Sequence, residues 1–463
     1  MKTANISSKF VRSQMRLDAK FHLSDGLLVR RVISNSPYKI KQIRDLTADI
    51  YCPGIFKRNY VNSGIPFLGG SDIQKRDFKS SKYLLKTHTP NNETLKVCKG
   101  WTLVTCGGTI GETVFANKML AKCWASQHVM RVVPLHIKEG VLYAYLGSKY
   151  GKLLLTTNIY GSVIPTLNAD NIGTLPIPEF PDSFQCSVDS LIQESATLRE
   201  NATSLLIKAE QMLKAEASLR DLTSDDYDYF GPRTQERKVS CFIRNKKDID
   251  IVTINAFNHS ERIRKTKQLI SCSTLPLKEV LHQGDVFSTG SFPRIEVKEG
   301  HGVMLINQSD IFDTIIKGKY ISKRNVRLSN LVEYGEVLIA GVGTLGENES
   351  FCRVIYANEE LENQLVSGEF IRMKTEGIPS GYLFTWLNSD YGFRFIRNTQ
   401  AGTKLCRPIP KLLLEIPVPI IAKDKMEEID RMVREAHTMR YQANQKELKA
   451  IAMVEAEIEK WKN

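Results

Sequence analysis

The amino-acid sequence contains an internal duplication. Gly108–Glu112 reads GTIGE and Gly343–Glu347 reads GTLGE. Further anchors recur in the same order around these two, at separations of 237 to 241 residues: Ser71–Ile73 with Ser309–Ile311, Lys82–Leu84 with Lys319–Ile321, Gln127 with Gln364, Tyr150–Gly151 with Tyr391–Gly392, and Pro176–Pro178 with Pro417–Pro419. Solenoid repeats recur every 20 to 50 residues or so, which is far shorter. The chain therefore consists of two related domains.

Charge and cysteine content narrow the class of protein. The 463 residues carry a formal net charge of +13, which favours a polyanionic partner or an acidic surface. Nine cysteines include no CxxC pair, and this is typical of reduced thiols rather than disulfides or a zinc site. No apolar run approaches the 18 residues of a membrane span. We expect a soluble cytoplasmic protein with no metal and no membrane association.

Each half mixes short strand-like runs with a helical segment. Strands are predicted at 101–105, 113–116, 129–133, 337–340, 352–356 and 370–373, and helices at 142–155 and 382–396. Strands and helices are interspersed without a regular βαβ series. The expected fold class is α+β, with two similar mixed α/β domains.

A long helix is predicted at the end of each half. Residues 187–222 contain no Gly or Pro, and apolar residues recur there at alternating steps of three and four. Residues 424–463 repeat this pattern, with alanines and methionines along the apolar seam. The seam positions that we select as candidate partner-binding residues are Leu191, Leu198, Leu205, Met212, Met432, Met439, Ile451 and Ile458.

Two such helices can bury their seams against each other as an antiparallel coiled coil, which gives the two halves approximate two-fold symmetry. Ordinary core helices are the alternative, but both segments greatly exceed the mean helix length of about 11 to 12 residues. The predicted divisions are a first domain at 1–183, a first spacer helix at 184–222, a polar linker with the second domain at 223–423, and a second spacer helix at 424–463.

Two motifs resemble catalytic or cofactor sites. Gly341–Gly346 has the form GxGxxG, but a dinucleotide site needs a helix to begin in that loop, and a strand-like run follows instead. A glycine-rich turn between strands is the preferred interpretation. Asp285, Glu296 and Lys298 have a spacing found in metal-dependent nucleases, although the first domain has Tyr60 and Asn62 at the last two positions. We therefore expect no catalytic residue in either domain.

Basic residues recur in the loops of both halves, and the first half adds an asparagine and a tyrosine. Lysine and arginine can pair with phosphates, and arginine or asparagine can read base edges. These candidate DNA-binding residues are Lys57, Arg58, Asn59, Tyr60, Arg76, Lys79 and Lys82 in the first half, and Arg294, Lys317, Lys319, Lys323 and Arg324 in the second.

Several segments, in their order and duplication, resemble the specificity (S) subunit of type I restriction-modification systems. They are RLDAKFH at 16–22, PGIFKR at 53–58, PFLGGSDI at 66–73, the two glycine segments, Ser126–Gln127 with Asn363–Gln364, and the Pro-Ile-Pro and Pro-Val-Pro turns. The resemblance covers the whole chain.

This resemblance implies a non-catalytic subunit of a phage-defence complex. Each target-recognition domain would read one half of a bipartite double-stranded DNA target, and the helices would set the spacing. The helices would also dock two methyltransferase (M) subunits, which bind S-adenosylmethionine and methylate adenine N6, while the chain itself holds no cofactor. Restriction/translocase (R) subunits would join for cleavage.

Other functions remain open from the sequence. A stand-alone DNA-binding regulator would bind its site as the purified chain alone. A nuclease using Asp285, Glu296 and Lys298 would require a metal ion, and a specificity subunit for another phage-defence methyltransferase is a closer variant of the main prediction.

Overall fold

The protein divides into two compact units in the computed structural model. The structure describes residues 3, 5–14, 17, 19–61, 63–77, 82–90, 92–157, 166–223, 226, 242–249, 252–346 and 348–462. Unit 1 comprises Met1–Glu200 with Gln442–Asn463, and unit 2 comprises Asn201–Tyr441. Both units mix helices and strands, as the α+β prediction requires. Within the described ranges, no helix is long and apolar enough to cross a membrane.

In its described residues, unit 1 contains ten strands and six shorter helices. The helices are α1 Ser8–Gln14, α2 Ala19–His22, α3 Asp25–Ser34, α4 Glu139–Gly147, α5 Lys149–Thr157 and α6 Ala169–Gly173. The strands are β1 Ile40–Gln42, β2 Thr47–Tyr51, β3 Tyr60–Val61, β4 Ile65–Leu68, β5 Lys82–Leu84, β6 Thr102–Thr105, β7 Thr113–Phe115, β8 Trp124–Ala125, β9 Val129–Pro134 and β10 Pro176–Pro178.

The strands of unit 1 form two four-stranded sheets and a separate pair. One sheet has the order β2-β9-β6-β7 with antiparallel neighbours, and all four residues of its inner strand β6 are buried. The other has the order β3-β5-β4-β8, in which β4 and β8 run parallel. The third pairing is β1 with β10. Helices α3, α4 and α5 contribute to the main apolar core of this unit.

Unit 2 repeats these pairings along its own chain. Its shorter helices are α8 Glu261–Gln268, α9 Ser380–Asn388, α10 Asp390–Asn398 and α11 Pro410–Leu413. Its strands are β11 Thr274–Pro276, β12 Gly302–Ile306, β13 Lys319–Ser322, β14 Val337–Ala340, β15 Val354–Tyr356, β16 Leu365–Val366, β17 Phe370–Met373, β18 Gln400–Ala401, β19 Arg407–Pro408 and β20 Pro417–Pro419.

Three strands of each larger sheet in unit 1, and its separate pair, have counterparts in the same order in unit 2. The order β13-β12-β16 corresponds to β5-β4-β8, including the parallel pair, and β15-β14-β17 corresponds to β7-β6-β9. The pair β11 and β20 corresponds to β1 and β10. Unit 2 also forms the hairpin β18–β19. The repeat in the sequence therefore corresponds to a repeat in strand pairing.

One helix was predicted at 142–155 and another at 382–396, but each is two helices. The break falls at Ser148 in unit 1 and at Ser389 in unit 2, and both residues have an extended backbone. The Ser148 hydroxyl accepts the Gly151 N–H at 3.1 Å, and the Ser389 hydroxyl accepts the Gly392 N–H at 3.2 Å. Each serine caps the second helix, and this local hydrogen bond competes with continuing the first.

The two long helices are α7 Asp182–Glu216, with 35 residues, and α12 Lys423–Glu459, with 37. Helix α7 ends six residues before the predicted boundary at Leu222. Ser218 adopts a positive φ of 52°, the Leu219 N–H donates to the Lys214 carbonyl at 2.8 Å, and the Ser218 N–H donates to Ala215 at 3.2 Å. This is a Schellman motif, which normally uses glycine, so the sequence carried no visible stop signal.

The buried side of α7 differs from the predicted seam. Every seventh residue is buried along Val188, Ser195, Ala202 and Ala209, which agrees with one predicted line of the heptad. The other buried line contains Ile192 and Leu213. Leu191, Leu198, Leu205 and Met212, which were selected as the second line, are only half-buried. The apolar pattern gave the period correctly, and Leu191, Leu205 and Met212 of the second predicted line pack at the edge of the apolar cores.

Helix α12 has a similar stripe. Ile429, Ala436, Ala443 and Ala450 are buried at seven-residue intervals. Among the selected partner-binding residues, Met432 and Ile458 are also buried within the chain, whereas Met439 and Ile451 are half-buried. The half-buried residues are therefore the ones with apolar surface left over for another chain.

A buried polar cluster ties three helices of unit 1 together. The Glu447 carboxylate of α12 accepts the Tyr143 hydroxyl of α4 at 2.5 Å and also pairs with Arg199 of α7. Arg199 donates to the Asn444 side chain at 2.8 Å. Burial and the neighbouring carboxylate raise the pKa of Tyr143 well above its usual value. The phenol therefore stays protonated and donates.

Candidate nucleic-acid interface

The most organised basic site in unit 1 is an aromatic cluster that carries two cations. The segment 52–59 connects β2 to β3 and places the Phe56 ring 6.0 Å from Phe67 of β4. Tyr60, at the start of β3, lies 6.4 Å from the same ring. Phe67 is 4% exposed, so it anchors the two other rings to the sheet.

Arg58 and Lys82 pack on these rings. The Arg58 guanidinium lies 5.2 Å from the centre of the Phe67 ring, and the Lys82 ammonium lies 5.0 Å from that of Tyr60. Strand register explains the second contact, because β5 brings Lys82 opposite Phe67 while its neighbour Leu84 pairs with Tyr60. We call Phe56, Arg58, Tyr60, Phe67 and Lys82 the cation–aromatic cluster. Such contacts fix the cations while leaving their positive charge in place.

Gln127 adds a polar contact to the cluster. Arg58 Nη2 donates to Gln127 Oε1 at 2.6 Å. Gln127 follows strand β8, which runs parallel to β4, and the Ser126 N–H donates to the Leu68 carbonyl at 2.9 Å. The parallel pairing therefore brings the corner after β8 to the same end of the sheet as the end of β4.

The GTIGE segment is a turn that lies against this corner. It joins β6 to β7, with the Gly111 N–H donating to Thr105 at 2.9 Å. Gly108 has a φ of 78°, which favours glycine. The Cys106 N–H donates to the His128 carbonyl at 2.9 Å, next to Gln127. Motifs that are far apart in sequence, at 53–58, 106–111 and 126–127, thus converge in unit 1.

A thiol pair and a buried arginine lie behind the turn. The sulfur atoms of Cys52 and Cys106 are 3.3 Å apart. The hydrogen bond from Cys52 lowers the pKa of Cys106 against the effect of burial, with a smaller contribution from Arg131. Burial lowers the pKa of Arg131 to about 10, which leaves its guanidinium charged at neutral pH.

Unit 2 places different contacts at the matching positions. Arg294 is exposed, and its guanidinium lies 6.0 Å from the ring of Phe292 in the same loop. The Gln364 side-chain oxygen accepts the Met304 backbone N–H at 2.9 Å. Lys319, which corresponds to Lys82, forms an ion pair of 2.5 Å with Glu296, which stands where unit 1 has Tyr60. The basic loop of unit 2 is therefore partly neutralised.

The same ion pair bears on the nuclease alternative. Glu296 is engaged by Lys319, and one Asp285 carboxylate oxygen accepts the Val286 N–H at 2.7 Å. In the described ranges, no group of three His, Cys, Asp or Glu side chains could hold a metal ion. The GxGxxG segment likewise leads to strand β15 and not to a helix, in agreement with the preferred interpretation as a turn.

Comparison with known proteins supports DNA recognition. Residues 35–183, which contain the cation–aromatic cluster and the glycine turn, match the family model for the type I restriction modification DNA specificity domain. These residues are similar to that family, and on this similarity we call residues 35–183 the specificity domain. The specificity domain thus covers most of the elements of unit 1 that lie before α7. A comparison with curated protein sequences gives no match.

Solved structures with detectable similarity include two specificity subunits. The type I restriction-modification S subunit from M. genitalium is 15% identical, with 92% of this chain and 96% of that chain covered and a TM-score of 0.37. The HsdS subunit from Thermoanaerobacter tengcongensis is 12% identical, with coverages of 92% and 98% and a TM-score of 0.28. At these TM-scores the two structures carry no argument about the fold, and the similarity to the family concerns residues 35–183.

The other predicted DNA-binding residues are distributed over both units. Lys57 and Asn59 of the specificity domain are exposed, Arg76 is half-buried, and Lys79 lies outside the described residues. In unit 2, Lys317, Lys323 and Arg324 are exposed. Of the predicted set in the specificity domain, the structure brings Arg58, Tyr60 and Lys82 together.

Two members of this site were missed as functional residues. Phe67 reads as an ordinary strand residue, and its role as the platform for Arg58 depends on strand register. Gln127 was noted only as a repeated anchor. Its recurrence as Gln364 was a usable signal, but the sequence separation of 69 between Arg58 and Gln127 concealed their contact.

Proposed function

We propose that this chain is the DNA specificity subunit of a type I restriction-modification complex, with each unit reading one half of a bipartite target. The observation that carries the proposal is the repetition, in unit 2, of the strand pairing found in the specificity domain. A protein that contains the same DNA-reading design twice is suited to two half-sites separated by unread base pairs. In this role the chain supplies recognition, and its partners supply the chemistry.

The side chains of the loops support this assignment. In unit 1, Arg58 and Lys82 present fixed positive charge on aromatic rings, and Lys57 and Asn59 are exposed beside them. Lysine and arginine contacts to phosphates position a protein on the duplex, while arginine and asparagine can read purine edges in the major groove. The net charge of +13 favours association with a polyanion.

The long helices are proposed to form an antiparallel pair that acts as a ruler between the two readers. At 1.5 Å per residue, α7 and α12 are about 52 and 56 Å long. In support, the first part of α7 packs in unit 1 with the last part of α12, as the bond from the Ser195 hydroxyl to the Ala443 carbonyl illustrates. The remaining part of each helix belongs to unit 2.

The helices are also proposed to dock two methyltransferase subunits, whose bound S-adenosylmethionine would supply the methyl group for adenine N6. The half-buried residues Leu191, Leu198, Leu205 and Met212 offer apolar surface along one flank of α7. Restriction subunits would join the same assembly for cleavage.

Mapping of methylated adenines tests the proposal. DNA from cells that express this chain with its methyltransferase should carry N6-methyladenine in two short half-sites separated by a fixed number of unspecified base pairs. Cells with the methyltransferase alone are the control and should lack that pattern. A single contiguous motif would contradict the proposal. Tight binding to one site by the purified chain, without any methylated motif, would indicate a stand-alone regulator instead.

A further inference from the structure

Among the predicted DNA contacts that the structure describes, Arg58 alone combines a side-chain hydrogen bond with a contact to a buried ring. Its Nη2 donates to Gln127 Oε1 at 2.6 Å, and its guanidinium lies 5.2 Å from the centre of the Phe67 ring. The hydrogen bond and the ring together restrain the position and the orientation of the guanidinium. Among the described residues, Gln127 is the only hydrogen-bond partner of this guanidinium, so donors remain for an incoming group.

A fixed arginine has a specific advantage in reading DNA. Guanine is read by two parallel N–H donors to O6 and N7, which requires a planar guanidinium in one orientation. A free arginine loses much rotamer entropy when it adopts that orientation, whereas a held arginine has lost it before binding. A phosphate contact needs charge alone and would gain less from a defined plane.

The matching residues of unit 2 lack this arrangement. Arg294 is exposed and packs on Phe292 of its own loop. Gln364 directs its side-chain oxygen to the Met304 backbone N–H. The glutamine is present in both units, but only in unit 1 does it hold the arginine. The contact between the glutamine and the arginine is therefore specific to unit 1.

We propose that Gln127 is a positioning residue that orients Arg58 to read one guanine in the half-site of unit 1. The proposal rests on the proposed function and identifies which residue pair sets one base of that half-site. Gln127 acts through Arg58 and does not itself touch the base.

The test is a double-mutant cycle on the complex of the full chain with its methyltransferase subunits. The wild type, Arg58→Ala, Gln127→Met and the double variant are titrated at fixed salt against duplexes with single base-pair changes across both half-sites. Methionine keeps the length of glutamine and removes the acceptor oxygen. Gln127→Glu is the matched control, because it retains an acceptor for Arg58.

We expect Arg58→Ala to reduce discrimination at one G·C pair by about 5- to 150-fold, the range for a lost bidentate contact. Gln127→Met should reduce discrimination at the same pair by about tenfold. In the Arg58→Ala background, Gln127→Met should have no further effect. Gln127→Glu should keep the base preference, with weaker binding to all duplexes alike. Unchanged preference at the other base pairs of the half-site of unit 1 shows that this unit is folded in the variants.

Several results would overturn the inference. Additive effects, or a loss of discrimination at a different base pair, would mean that Gln127 reads DNA directly. Equal weakening on every duplex with Arg58→Ala would make Arg58 a phosphate contact. Failure of the inference alone is recognisable, because wild-type binding would still be bipartite. If the wild-type complex selects no bipartite target, the inference and the proposed function fail together.

Discussion

Arg372 and Glu336 form a bidentate ion pair that is almost completely withdrawn from solvent. Arg372 Nε donates to Glu336 Oε2 and Nη2 donates to Oε1, both at 2.8 Å, and each side chain is 1% exposed. Unit 1 has Arg131 at the matching position, fully buried and donating to backbone carbonyls, such as that of Leu95 at 2.9 Å. Both units thus have a buried arginine at this position. A carboxylate balances its charge in unit 2, whereas in unit 1 the guanidinium donates to backbone carbonyls.

Removal of one member of the buried pair should destabilise unit 2. Glu336→Gln would leave the Arg372 charge buried without a counter-charge, at a cost of about 3–5 kcal/mol. The measurement is the free energy of unfolding in urea. Glu333→Gln is the control, since Glu333 forms a 2.6 Å ion pair with Lys374 but is 64% exposed. That variant should cost at most about 1 kcal/mol. Equal losses for the two variants would contradict the prediction.

The two basic loops should differ in the salt dependence of DNA binding. Lys82→Ala should lower the slope of log affinity against log salt by about one, because one phosphate contact is lost. Lys319→Ala should lower it less, since Glu296 already partly neutralises that ammonium. In a Glu296→Gln background, the effect of Lys319→Ala should approach that of Lys82→Ala. Equal changes of the slope for Lys82→Ala and Lys319→Ala, each as a single variant, would contradict this difference between the two loops.

Thiol reactivity reports on the packing of unit 1. Burial raises the pKa of Cys123 to about 12, and its side chain is 3% exposed. Cys98 and Cys186 are exposed. In the folded protein at neutral pH, iodoacetamide should modify Cys98 and Cys186, whereas Cys123 should react only after denaturation. Peptide mass spectrometry gives the rates. Comparable rates for Cys123 and Cys98 in the folded chain would show that the core around Cys123 is open.

Local patterns identified six of the strands and both long helices. The strands at 337–340 and 370–373 have the predicted bounds, because each is a short apolar run with turn residues on both sides. Helix ends were harder to locate. Ser148 and Ser218 each end a helix through their own backbone geometry and hydrogen bonds, and serine is common enough within helices to give no warning.

The buried face of a long helix depends on its neighbours as well as on its own pattern. Leucines at 191, 198 and 205 suggested one flank of α7, but the opposite flank carries Arg199 in the polar cluster with Glu447 and Asn444. The sequence cannot show that a half-buried arginine faces the core unless its partner is known, and the buried Glu447 lies 248 positions away. The cluster around Phe67 was hidden for the same reason. Arg58, Tyr60 and Lys82 were each selected from the sequence, but only the pairing of β3, β5 and β4 places them around Phe67.

The spacing of the two half-sites is the most direct test of the proposed ruler. Deleting seven residues from the middle of α7 and seven from α12 preserves the heptad register and shortens each helix by about 10 Å. At 3.4 Å per base pair, the unread spacer should shorten by about three base pairs, with both half-sites unchanged. Sequencing of methylated adenines in cells that express the shortened chain gives the result. Methylation at the original spacing would contradict the account.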